Sequence, residues 1–191
     1  MTPQQLFILA DKTFVNVVEQ IKDDQWDQKV PSYITDKADT LREVINYHLY
    51  DEIWVPDVLA GKTIEQVGSK YDGNLLGKDP IKRFKAIAGE TQMIVGVFNE
   101  PDKIVHLSYG DWPAKDYLLH ISYFRALRAY DIAKFIGAST ELPAELVEEL
   151  YKVISPQAED WRKMGVFGPE VKVADNADTQ TKLLGMTGRK A

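Results

Sequence analysis

Cysteine is absent from this chain of 191 residues. That one absence excludes a disulfide scaffold, a thiol nucleophile and any cysteine-ligated zinc or iron–sulfur site. Long apolar runs are absent too. Nothing approaches the roughly 18 apolar residues of a membrane helix, and no membrane partner is expected. Met1-Thr2-Pro3-Gln4-Gln5 lacks the basic-then-apolar pattern of a signal peptide, so the expected location is the cytoplasm. Basic charge is in deficit. Lys plus Arg is 23 against 29 for Asp plus Glu, a net charge of -6, which disfavours nucleic acid as a partner. HExxH, a phosphate loop, a nucleotide fingerprint and a nucleophile elbow are all missing.

What remains is the composition of a globular domain, 45% hydrophobic and 27% charged. A chain of this length suits one domain and buries about two-thirds of its unfolded surface. Four long amphipathic helices are predicted. The first starts with Thr2 as cap and Pro3 at the first turn, and runs to about Lys22 with Leu6, Ala10, Phe14, Val17, Val18 and Ile21 on its apolar side. The second opens on a capping box, Thr40-Leu41-Arg42-Glu43, and lines Leu41, Val44, Ile45, His48, Glu52 and Val55 along one face. Pro56 is expected to kink or stop it, and Gly61 closes the segment.

Residues 62–79 read as a long loop around a short helical piece at Thr63–Val67. Pro80 opens the third helix, with Phe84, Ile87, Ala88, Met93 and Ile94 apolar, and Pro113 opens the fourth, which runs to Ile136 before Gly137. Between them, Ile104–Leu107 has the look of a strand. A fifth, shorter helix follows Pro143. A brief extended segment at 166–173 and a last short helix at 177–186 complete the chain. Four amphipathic stripes bury themselves most simply against one another, which makes the fold class all-α.

Chemistry has few places to reside. His48 sits inside the apolar stripe of the second helix and needs partners for its ring nitrogens. It is either a hydrogen-bonded core histidine or a metal ligand or base. On the fourth helix, His120, Phe124, Arg128 and Asp131 share one face. An inward Arg128 demands a charge partner, with Asp131, Glu52 or Asp51 as candidates. Beside His48 it could instead hold a carboxylate ligand, or it could run outward to water. His106 is expected to be structural or exposed.

Four stretches carry a resemblance. They are Leu41–His48 continuing to Trp54–Gly61, the loop Asp72–Pro80, the helix end Tyr130–Gly137, and the tail Phe167–Val173 with Leu183–Arg189. In this order they resemble the DinB-like, mycothiol-dependent maleylpyruvate isomerase superfamily of actinobacteria, in its branch of uncharacterised metal-binding proteins. The resemblance spans nearly the full chain. It implies a DinB-like four-helix bundle over residues 1–160, with a long crossover loop and small extra helices. It also implies a short extended C-terminal segment, residues 161–191, packing on the bundle in the same domain.

The family's metal motif has one histidine on the second helix, and an acid and a histidine one turn apart on the fourth. Those positions fall on His48, Phe124 and Arg128. His48 is the only retained ligand, and the metal motif is degenerate. The resemblance therefore implies a bundle pocket of His48, Glu52, Trp54, His120, Phe124, Arg128, Tyr130 and Asp131, with no catalytic residue and no cofactor assigned. A small-molecule ligand is the expected partner. One alternative is a metal-dependent, mycothiol-linked isomerase or transferase with zinc or nickel on a relocated site of His48, Glu52 and His120. Another is a non-catalytic homodimeric interaction protein.

Overall fold

A computed structural model describes residues 1–35 and 37–190. They divide into two compact units, residues 2–140 and residues 141–190 with Met1.

The larger unit holds the four long helices α1 (Pro3–Val18), α2 (Leu41–Leu59), α4 (Pro80–Val97) and α5 (Ala114–Ile136), with the single turn α3 (Ile64–Val67) in the long loop. It also holds an antiparallel hairpin of β1 (Ile104–Leu107) and β2 (Gly110–Pro113), in which His106 faces Asp111. The all-α class therefore holds, as a multi-helix bundle with one small two-stranded sheet. The second strand was not foreseen, because Pro113 reads only as a helix opener. It ends β2 and caps α5 without a side-chain bond.

Around the bundle, α1 packs along α5 and α4, and α4 packs along α2. The α2 and α5 backbones make no comparably close approach, and the hairpin reaches both helices. Long side chains fill the seam between them.

Local chemistry explains each boundary. α1 and α2 begin in reciprocal capping boxes, Thr2 with Gln5 and Thr40 with Glu43. α1 ends at Val18, short of the expected Lys22, where its backbone bonding tightens into turns. Pro56 neither stops nor breaks α2, which continues to Leu59. A proline has no N–H, so the carbonyl one turn earlier, that of Glu52, loses its helical donor. Thr91 on α4 supplies one: its hydroxyl donates to the Glu52 carbonyl at 3.3 Å. On α4 the buried stripe is Phe84, Ala88, Thr91 and Val95. Met93 and Ile94, expected to be core, face outward at 68% and 41% exposure.

The loop at 62–79 is fastened to α2. The Asn46 side chain donates to the Gly73 carbonyl at 3.0 Å and accepts from the Leu75 amide at 2.8 Å. Asp57 accepts from Lys62 at 2.7 Å and from the Tyr71 hydroxyl at 2.8 Å.

The smaller unit contains α6 (Ala144–Ile154), α7 (Ala158–Lys163) and α8 (Thr179–Met186), with α6 packed on α8. The extended segment expected at 166–173 forms no strand. It lies close along α8 instead, with the Val171 amide donating to the Gly185 carbonyl at 2.9 Å. A Cβ at Gly185 would come within 2.5 Å of the Val171 carbonyl oxygen, so only glycine permits that approach.

Candidate functional site

The α2–α5 seam gathers most of the chain's buried polar chemistry. Its deepest element is Arg125, whose side chain is wholly buried. It lies on the α5 stripe with Leu118, Ser122, Ala129 and Ile132, all buried. Two acids face it from other helices. Asp11 on α1 accepts from Arg125 Nη1 at 2.8 Å, and Glu52 Oε2 on α2 lies 2.5 Å from the same nitrogen. The first contact is an aligned hydrogen bond. The second is an ion-pair approach without hydrogen-bond geometry. Arg125 Nη2 also donates to the His48 carbonyl at 3.3 Å, and Gln92 donates to Asp11 at 2.6 Å.

Two carboxyl groups thus share one cation in a space without water access. Burial pushes Glu52 well above the usual carboxylate range, against the pull of Arg125 and with a further push from Asp11. Burial also raises Asp11, though Arg125 and Gln92 oppose the rise. We read the group as Arg125 cation, Asp11 carboxylate and Glu52 carboxylic acid, which leaves it neutral.

Immediately beside this group is the triad of positions where the resemblance puts metal ligands. His48 is buried between two phenyl rings. Its ring centroid is 5.0 Å from that of Phe124 in a stacked arrangement and 4.6 Å from that of Phe14. Arg128 sits over the Phe124 ring, its guanidinium carbon 5.6 Å from the centroid. Burial, then the charges of Arg125 and Arg128, hold His48 well below the usual imidazole range, so the ring is neutral. Its Nδ1 is buried with no hydrogen-bond partner among the described residues.

These side chains do not fit a divalent metal. Of the three positions, only His48 offers a donor atom, and a phenyl ring and a guanidinium fill the rest. Among the described residues no group of three or more His, Asp or Glu side chains is placed to hold a metal ion. The relocated set of His48, Glu52 and His120 is accordingly not assembled.

The other expected pocket residues separate along the seam. Toward the loop at 31–35, Arg128 donates to the Ile34 carbonyl and lies 3.6 Å from Asp131. Of its three expected partners it therefore takes Asp131, and Glu52 belongs to Arg125. Tyr130 is buried, with the Lys134 ammonium 5.7 Å from its ring centroid. Toward the hairpin, Trp54 packs edge-on to Tyr71 at 6.0 Å, and its Nε1 is buried and unpartnered among the described residues. His120 lies edge-on to Trp112 at 5.0 Å, and its Nδ1 is 3.3 Å from the Tyr109 hydroxyl. His106 pairs with Asp111 at 2.8 Å across the hairpin.

Sequence reasoning missed Asp11 altogether. The signal was present, because Asp11 occupies the stripe position between Phe7 and Phe14, where an acid needs a buried cation.

No family model matches the chain, and no curated protein or solved structure matches it. No helix among the described residues is long and apolar enough to cross a membrane.

Proposed function

We propose that this chain is a cytoplasmic, metal-free small-molecule-binding protein on a DinB-like bundle, with its ligand held at the α2–α5 seam. One observation carries the reading. The three positions that the resemblance assigns to metal ligands converge in space, yet they form a ring stack of His48 and Phe124 covered by Arg128. Polar groups without partners among the described residues favour a ligand over a merely filled core. They include His48 Nδ1 and Trp54 Nε1.

The test starts with the chain produced without a histidine tag or chelators, with divalent metal counted per chain beside His48→Ala. The expected result is far less than one metal per chain, with no difference between the two proteins, together with a melting shift in a small-molecule panel. Zinc or nickel near one per chain, lost on His48→Ala, overturns the metal-free reading and restores the metal-dependent isomerase or transferase.

A second reading, a homodimeric interaction protein, is favoured by the outer face of α4. Met93 and Val97 are 68% and 81% exposed there. A dimer by light scattering that becomes a monomer on Val97→Glu supports it, and a monomeric parent chain removes it.

A further inference from the structure

The outer face of α4 carries its own complement. Lys82, Ala86, Glu90, Met93 and Val97 follow at spacings of four, four, three and four, so they form one stripe. All five are exposed, and the stripe lies opposite the buried one of Phe84, Ala88, Thr91 and Val95. Arg83 and Ile94 flank it and are exposed too. From the start of the helix to its end, the face is basic, then small, then acidic, then apolar.

The charges on this face are unmatched within the chain. Lys85, on the side toward α1, pairs with Glu19. Among the described residues Lys82, Arg83 and Glu90 make no ion pair. Arg83 and Glu90 are separated by about 10 Å along the helix axis, too far to meet on one helix. Lys82 and Arg83 also stand at the start of a helix whose first turn holds no acid. That is the positive end of the helix macrodipole, where cations are disfavoured. A charge pattern that breaks a local rule with no local compensation points to a partner.

A second copy of the chain fits this pattern. Two α4 helices running antiparallel about a two-fold axis set Arg83 of each level with the partner's Glu90. The axis then passes beside Ala86, midway between the two charges, where a methyl side chain lets the helix backbones approach closely. Met93 comes level with the partner's Pro80, with Val97 just beyond it. Each apolar end therefore covers the start of the other helix, and symmetry makes every contact twice. The whole chain carries a net charge of -6, which opposes self-association. This face holds two cations, Lys82 and Arg83, to one acid, Glu90, so it is a place where two copies approach without that penalty.

We propose that two copies of the chain pair through α4, antiparallel, with Arg83–Glu90 contacts on either side of Ala86. This rests on the homodimer reading above and gives it a geometry.

The absence of cysteine makes a sharp experiment possible on the full chain. Ala86→Cys puts one thiol per chain beside the axis, and mild oxidation is expected to link it into a dimer. Lys12→Cys, exposed on α1, is the control and is expected to stay unlinked. Sedimentation equilibrium gives the dimer affinity. Arg83→Glu alone, or Glu90→Arg alone, sets like charges together at two places and is expected to weaken the dimer roughly tenfold to a hundredfold. The two reversals combined are expected to restore it to within about threefold of the parent. All these positions are exposed, so the circular dichroism of each variant is expected to match the parent.

A dimer whose affinity ignores both single reversals, or one that gives no Ala86→Cys disulfide, overturns the antiparallel pairing. If Val97→Glu still makes that dimer monomeric, the homodimer reading survives without this geometry. A parent chain that stays monomeric at high micromolar concentration removes both.

Discussion

The Arg125 guanidinium on α5 holds the Asp11 carboxylate on α1 at 2.8 Å, with neither side chain reached by solvent. The pair ties together the two helices with the most extensive backbone approach in the bundle. Its energetic meaning follows from burial. Two charges taken out of water stabilise a fold only when matched, and removing one partner strands the other.

Arg125→Met is therefore expected to cost about 3–5 kcal/mol, because it leaves Asp11 buried without a cation. Glu52→Gln is expected to cost less than about 1 kcal/mol, since glutamine mimics the carboxylic acid that Glu52 already is. Urea unfolding at pH 7 measures both. A large loss in Glu52→Gln would show that the Glu52 charge, and not its proton, holds the group together.

His48 should govern part of the acid sensitivity. Its folded pKa lies well below the ordinary 6.5, chiefly through burial. The unfolded chain therefore binds more protons than the folded one below pH 6.5, and stability is lost as pH falls from there toward the folded value. His48→Phe keeps the ring stack with Phe14 and Phe124 and removes the titration. The difference in unfolding free energy between the two proteins is expected to grow in favour of His48→Phe between pH 6.5 and pH 5. A constant difference across that range would contradict the neutral buried ring.

Most of the bundle was legible because its signals are local. The Thr40–Glu43 capping box, the proline starts at Pro3 and Pro80, and the stop at Gly137 each act within one turn. What escaped depends on partners far along the chain. Pro56 reads as a break because the hydroxyl that rescues its helix comes from Thr91. Arg128 shares a sequence-predicted face with His120 and Phe124, whereas the deeper stripe of α5 runs through Arg125. His48, Phe124 and Arg128 lie against one another, but sequence alone could not show that the rings stack.

The rescue of Pro56 makes a coupling prediction. Thr91→Val removes the hydroxyl and leaves the Glu52 carbonyl buried without a donor, at a cost of about 1–3 kcal/mol. In Pro56→Ala the residue at 56 has its own N–H and closes the helical bond. The cost of Thr91→Val in that background is expected to fall by about 1 kcal/mol or more, measured as the coupling energy of the double-mutant cycle. Strict additivity would mean that the hydroxyl does not replace the missing amide.

Asp51 is expected to cost the fold stability at neutral pH. Its pKa is raised to about 6, mainly by burial, with Arg125 opposing. A carboxyl group whose folded pKa exceeds its unfolded value binds protons more tightly when folded. It therefore costs stability as pH rises from the unfolded pKa near 4 to about 6, and the full cost persists above that. Asp51→Asn should stabilise the ligand-free chain at pH 7 by roughly 1–3 kcal/mol. The gain should vanish toward pH 3.5, where the parent carboxyl group is protonated in both states. A purely structural acid would give the opposite sign, because its removal breaks contacts that hold the fold. Stabilisation at neutral pH that disappears in acid would identify Asp51 as a residue kept at the expense of stability.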